Sequence, residues 1–177
     1  MKRIVITLGI AVLALAAATA ALASGTLTTT ATVSGTAGIS LNLPANPSIT
    51  DTLDGTDQTA TYAPILGLVD ARGLGAGWNI QISATTFSDG SGHTLNQGTV
   101  ASVAQACTAG STCTTATSSG ITYPLSIDTT AAKFFVAALN TGLGKINITP
   151  TINVAIPGNA YAGTYTSTVT LAATTGP

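Results

Sequence analysis

In the stretch WNIQIS, Trp78, Ile80 and Ile82 alternate with Asn79, Gln81 and Ser83. The same two-residue period recurs in TLTTTATV (26–33) and in GISLNLP (38–44), where Ile39, Leu41 and Leu43 share a face. It returns in TINVAIP (151–157), through Ile152, Val154 and Ile156. In TYTSTVTLA (164–172), Tyr165, Ser167, Val169 and Leu171 oppose a row of Thr. Alternation of this kind, broken by Gly, Pro and Asn, predicts short antiparallel strands with one buried face. PGNAYAG (157–163) reads as the hairpin loop joining the last two strands. Only TTAAKFFVAALNTG (129–142) has room for a helical turn, and its Phe pair suits a strand equally well. The expected fold is all-β, an antiparallel β-sandwich, with no repeat or linker to mark a second folded domain.

Composition supports that reading and adds a location. Of 177 residues, 45% are hydrophobic, 6% are charged and none is Glu, a balance too apolar for a disordered chain. Lys2 and Arg3 precede a charge-free run from Ile4 to Leu22, and Ala21, Leu22 and Ala23 give the small-x-small pattern of a signal peptidase site. The expectation is a signal peptide over 1–23, cleavage before Ser24, and one mature domain over 24–177. An uncleaved N-terminal anchor is the alternative. Cys107 and Cys113 flank the short loop TAGST, and in an exported chain they are expected to form one local disulfide.

Charge and reactive groups narrow the function. Beyond the leader, Arg72, Lys133 and Lys145 face Asp51, Asp54, Asp57, Asp70, Asp89 and Asp128. That balance gives no footprint for nucleic acid or an anionic membrane surface. His93 is the only His, in the polar loop SDGSGHTL, and reads as a solvated loop residue. Neither a nucleophile elbow nor a phosphate-binding Gly loop occurs. The chain is expected to be non-catalytic and to need no cofactor. One cation site is conceivable: DTLDGTD sets Asp51, Asp54 and Asp57 in a turn-rich segment where Ca²⁺ would find carboxylates and loop carbonyls. Ordinary turn chemistry explains the same residues.

LVDARGLGAGWNIQIS (68–83) gathers the single Trp, an Asp and the one Arg outside the leader. On physical grounds Trp78 heads a strand with its ring in the core. Asp70 and Arg72 are placed to pair with each other or with backbone groups, fastening the glycine-rich turn. Arg72, a turn residue whose removal would not empty the core, is equally a candidate donor to a ligand. DARGLGAGWNIQIS, followed by Thr86 and Phe87, resembles the first signature of the WxL domain, a surface domain of Gram-positive bacteria. There an acidic residue and Arg-Gly precede a glycine-rich turn and a Gly-Trp-x-Leu strand. Asp70, Arg72, Gly73, Gly77 and Trp78 match, and Ile80 stands where the family has Leu. The closing AYAGTYTSTVTLAATTGP resembles the family's last strand, with Leu171 and Ala172 where a second Trp would stand.

The resemblance implies a secreted, extracellular domain held non-covalently on the cell wall, with peptidoglycan or another wall polymer as ligand. Other surface proteins are further candidate partners, and no membrane contact is expected after cleavage. No sorting motif, hydrophobic tail or lipidated Cys follows the domain, so surface retention is expected to come from the folded domain itself. The alternative is a structural subunit of a fibre or pilus, in which the Thr-rich SGTLTTTATV (24–33) is donated to a neighbour's sheet.

Overall fold

The alternating segments become strands because each carries β-branched or aromatic residues on one face and Thr, Asn or Gln on the other. The computed structural model describes residues 29–36, 38–117 and 120–177, so the leader over 1–23 and its cleavage point lie outside the described residues. Among the described residues there are eleven strands and no helix. In chain order they are β1 (Ile39–Asn42), β2 (Gln58–Tyr62), β3 (Leu66–Asp70), β4 (Trp78–Ala84), β5 (Phe87–Ser88) and β6 (Thr94–Leu95). There follow β7 (Thr99–Cys107), β8 (Leu125–Ser126), β9 (Ala132–Ala137), β10 (Gly144–Ile156) and β11 (Val169–Thr175).

β10, the longest strand, is the spine of the larger sheet, ordered β1-β3-β10-β7-β8. On one side its first part pairs with β3 and its last part with β2, while β7 runs along the other side. Pro150, which has no N–H to give, falls in the gap between the β3 and β2 pairings. The smaller sheet is β11-β4-β9, and β5 pairs with β6 as a separate hairpin. All pairings are antiparallel. Leu66, Leu68, Val100, Ile146, Ile148 and Ile152 from the larger sheet meet Trp78, Ile80, Ile82, Phe134, Phe135 and Ala137 from the smaller one in a single buried cluster. The fold is the expected sandwich, and residues 33–177 form one compact unit.

Four local expectations are corrected. PGNAYAG is not a hairpin loop: β10 and β11 belong to different sheets, and the segment between them crosses from one to the other. Alternation marks an apolar face but not which sheet carries it, and here the two faces meet across the core. The last strand begins at Val169, later than the alternation suggests, with Thr166 forming only an isolated bridge to Ser88. Residues 29–36 contain no strand, so the described part of the Thr-rich segment is not paired; 26–28 lie outside the described residues. Leu43 lies beyond the end of β1 and is 55% exposed rather than sharing the buried side of Ile39 and Leu41. The open choice at 129–142 resolves as strand β9. Between Ile80 and Gln81 the β4–β9 register shifts, and Phe134 and Phe135 are both buried around that bulge.

Candidate functional site

The Asp-Arg-Gly turn runs from the end of β3 to the start of β4. Asp70 is flanked by strands on both sides, paired to Ile39 of β1 and Gly144 of β10, and is 1% exposed. A carboxylate so buried requires a partner. Arg72 Nε donates to Asp70 Oδ1 at 2.9 Å, and Arg72 Nη2 donates to Oδ2 at 2.8 Å, a two-pronged ion pair. The Arg72 backbone N–H adds a third bond to Oδ1. These bonds, the Arg72 side chain foremost, hold the Asp70 carboxyl below its ordinary value.

The same guanidinium ties the two ends of the turn together. Arg72 Nη2 also donates to the Gly77 carbonyl at 2.9 Å, and that carbonyl accepts the Gly176 N–H near the end of the chain. Gly77 has a φ of 68°, and a Cβ there would lie 2.4 Å from the Ala137 carbonyl oxygen, so only glycine fits. Gly73 also has positive φ, but a Cβ on it would meet open space; its constraint is conformational alone.

Trp78 is fully buried and its Nε1 donates to the Gly142 carbonyl at 2.9 Å. Its ring lies 6.0 Å from that of Phe135, at a 40° tilt. Ile80, two residues on, is also fully buried. β11 runs directly beside β4, with Thr175 opposite Trp78, Ala173 opposite Ile80 and Leu171 opposite Ile82. The two stretches that carry the family resemblance are therefore neighbours in one sheet. Asn79 Nδ2 donates to the Gly176 carbonyl, fastening the chain's end to the Trp strand.

Neighbouring loops lock the turn from outside. Asn140, at a φ of 61°, gives its N–H to the Gly75 carbonyl, and Gly142 gives its N–H to Thr114. Thr114 in turn donates to the Leu143 carbonyl. The Cys107–Cys113 disulfide is formed as expected and closes the loop that leads into Thr114. Sequence reading missed Asn140, Gly142 and Thr114. Asn and Gly carry no chemistry that flags them, and their role exists only once β9 and β10 bring their connecting turn against the Trp strand.

The remaining candidates stand apart from this turn. Asp51, Asp54 and Asp57 are exposed and do not converge. Asp51 caps Thr52, Asp54 accepts from the N–H and hydroxyl of Thr56, and Asp57 accepts from Gly158 N–H. Among the described residues no group of three or more His, Cys, Asp or Glu is placed to hold a metal ion.

His93 is more engaged than a solvated loop residue. Its Nδ1 lies 2.6 Å from Asp89 Oδ2, and its ring stacks on Tyr161 at 3.8 Å. The His93 side chain, followed by the N–H of Ser91, draws the Asp89 carboxyl down to about 2. A carboxyl whose folded value is depressed contributes stability above its unfolded value of about 3.9, and that contribution is lost as pH falls toward 2. Asp70 acts with the same sign. The urea midpoint is therefore expected to hold above about pH 4 and fall between pH 4 and 2. Asp89→Asn should make that fall shallower; an unchanged slope would show that Asp89 has no such coupling.

No curated protein matches the chain. The family model described as "WxL domain surface cell wall-binding" matches residues 28–177, most of the sequence and all of both sheets.

Proposed function

The chain belongs to the WxL domain family, and from that membership we propose that it is a secreted, non-catalytic protein attached non-covalently to peptidoglycan. Association with the cell surface and its wall follows from the family. The preference for peptidoglycan over the wall's anionic polymers rests on one observation, the state of the cations. Arg72 is buried on Asp70 and has no charge to offer outward. Among the described residues the exposed cations are Lys133 and Lys145, set against exposed Asp51, Asp54, Asp57 and Asp128. Such a surface does not attract a polyanion. A non-catalytic role is supported by the absence of Glu from the sequence and by the engagement of the one His ring with Asp89 and Tyr161.

The test is retention on purified Gram-positive walls, before and after their anionic polymers are removed, from low to high salt. Retention should survive the stripping and change little with salt, because screening weakens only charge-driven contacts. Loss of retention on stripping, or a steep decline with salt, would place the ligand among the anionic polymers instead.

A further inference from the structure

Away from the Asp-Arg turn, a groove of about 470 Å³ lies between the segment that follows β1, the start of β3, the middle of β10 and the residues leading into β11. The sequence holds one Trp, four Tyr and three Phe, and three of these rings, Tyr62, Phe87 and Tyr165, line this one groove. Four of its walls are prolines, Pro44, Pro47, Pro64 and Pro150, and no lining residue carries a charge. Burial pushes the Tyr62 phenol above its ordinary value, so it too stays neutral. The Tyr165 hydroxyl donates to the Tyr161 carbonyl at 2.9 Å and so needs no ligand partner of its own. Thr166, Ser167 and Thr168 supply the polar side of the groove.

We propose that this groove binds an uncharged stretch of the wall's glycan strand, with sugar rings lying on Tyr62, Phe87 and Tyr165. The proposal rests on the wall-binding reading above and adds the place and the chemical part of the polymer. Peptide stems carry carboxylates and ammonium groups, for which the lining offers no counter-charge. Sugar rings present C–H faces that suit flat aromatic and proline surfaces, and hydroxyls and amides that suit the Thr and Ser side chains. A β-strand from a second copy is the other occupant to weigh, and the groove is poorly made for it. Strand addition needs free backbone N–H groups, which the four prolines lack. The backbone of Thr166 already exchanges bonds with Ser88, and that of Thr168 bonds to Thr85.

The experiment titrates the full domain with the neutral tetramer of N-acetylglucosamine, since strands cut from their peptide stems expose a carboxylate on every muramic sugar. Tyr165→Ala should weaken binding about tenfold, the scale of one lost ring-stacking contact, while Tyr165→Phe keeps it near wild type. Leu43→Arg provides a second variant that leaves the fold intact, since Leu43 lines the groove yet is 55% exposed. It should weaken binding similarly. Unchanged affinity in folded Tyr165→Ala and Leu43→Arg would overturn the proposal. So would concentration-dependent oligomers that Leu43→Arg abolishes, which would give the groove to a second copy. Retention of the wild type on whole peptidoglycan without binding to the neutral tetramer would overturn this site alone. Failure on whole peptidoglycan would overturn the wall-binding reading itself.

Discussion

Trp78→Ala is expected to destabilise the domain by about 3–5 kcal/mol, the usual cost of emptying a buried aromatic site. Against a typical total of about 5–15 kcal/mol, that is a large share of the fold's stability. The side chain is fully buried among residues of both sheets, and its removal leaves a cavity between β4 and β9 beside Phe135. It also strands the Gly142 carbonyl, which accepts the indole N–H. Trp78→Phe should cost less, because a ring still fills much of the space while the hydrogen bond is lost. Urea unfolding of the three proteins makes the comparison. A loss below about 1 kcal/mol for the alanine variant would mean that Trp78 is not a structural anchor.

Arg72→Ala is expected to be comparably severe, about 3–5 kcal/mol, because it leaves the Asp70 carboxylate buried without its partner. From the sequence alone Arg72 looks like a turn residue whose removal spares the core. The structure corrects that expectation: Arg72 is 8% exposed and bonded at both ends of the turn. Replacing both members together, Asp70→Leu with Arg72→Met, should recover much of the loss, since no charge is then stranded. The Gly77 carbonyl keeps one donor in that variant, the Gly176 N–H. Equal destabilisation by the single and double changes would contradict the pairing as the source of the effect.

Much of this arrangement was legible in the sequence. The alternation at 78–83 placed Trp78, Ile80 and Ile82 in the core because a strand with one apolar face has one way to bury it. The Cys107–Cys113 bond was readable for a similar reason, since the sequence has no third Cys to compete for either thiol. The proximity of Asp70 to Arg72 suggested a pair, but not its burial, which arises because β1 and β10 close on Asp70 from both sides. Pairing across distance was the illegible part. Periodicity did not reveal that β11 leaves its chain neighbour β10 to lie beside β4, nor that Tyr62, Phe87 and Tyr165, far apart in the chain, share one groove. His93 was underestimated because Tyr161, on which its ring stacks, sits on a distant loop, while Asp89, four residues away in its own loop, gave no sign of the pairing.

The signature turn is a latch for the fold, and in the proposed function the wall is held by another surface through uncharged contacts. The Asp70→Leu/Arg72→Met variant tests this most directly, because it removes both charged groups of the motif without stranding either. Its folding is first established by its urea transition, and its affinity for purified peptidoglycan is then measured beside that of the wild type. Equal affinity is expected if the motif is scaffold. A folded variant that no longer binds peptidoglycan would show instead that Asp70 and Arg72 themselves touch the wall.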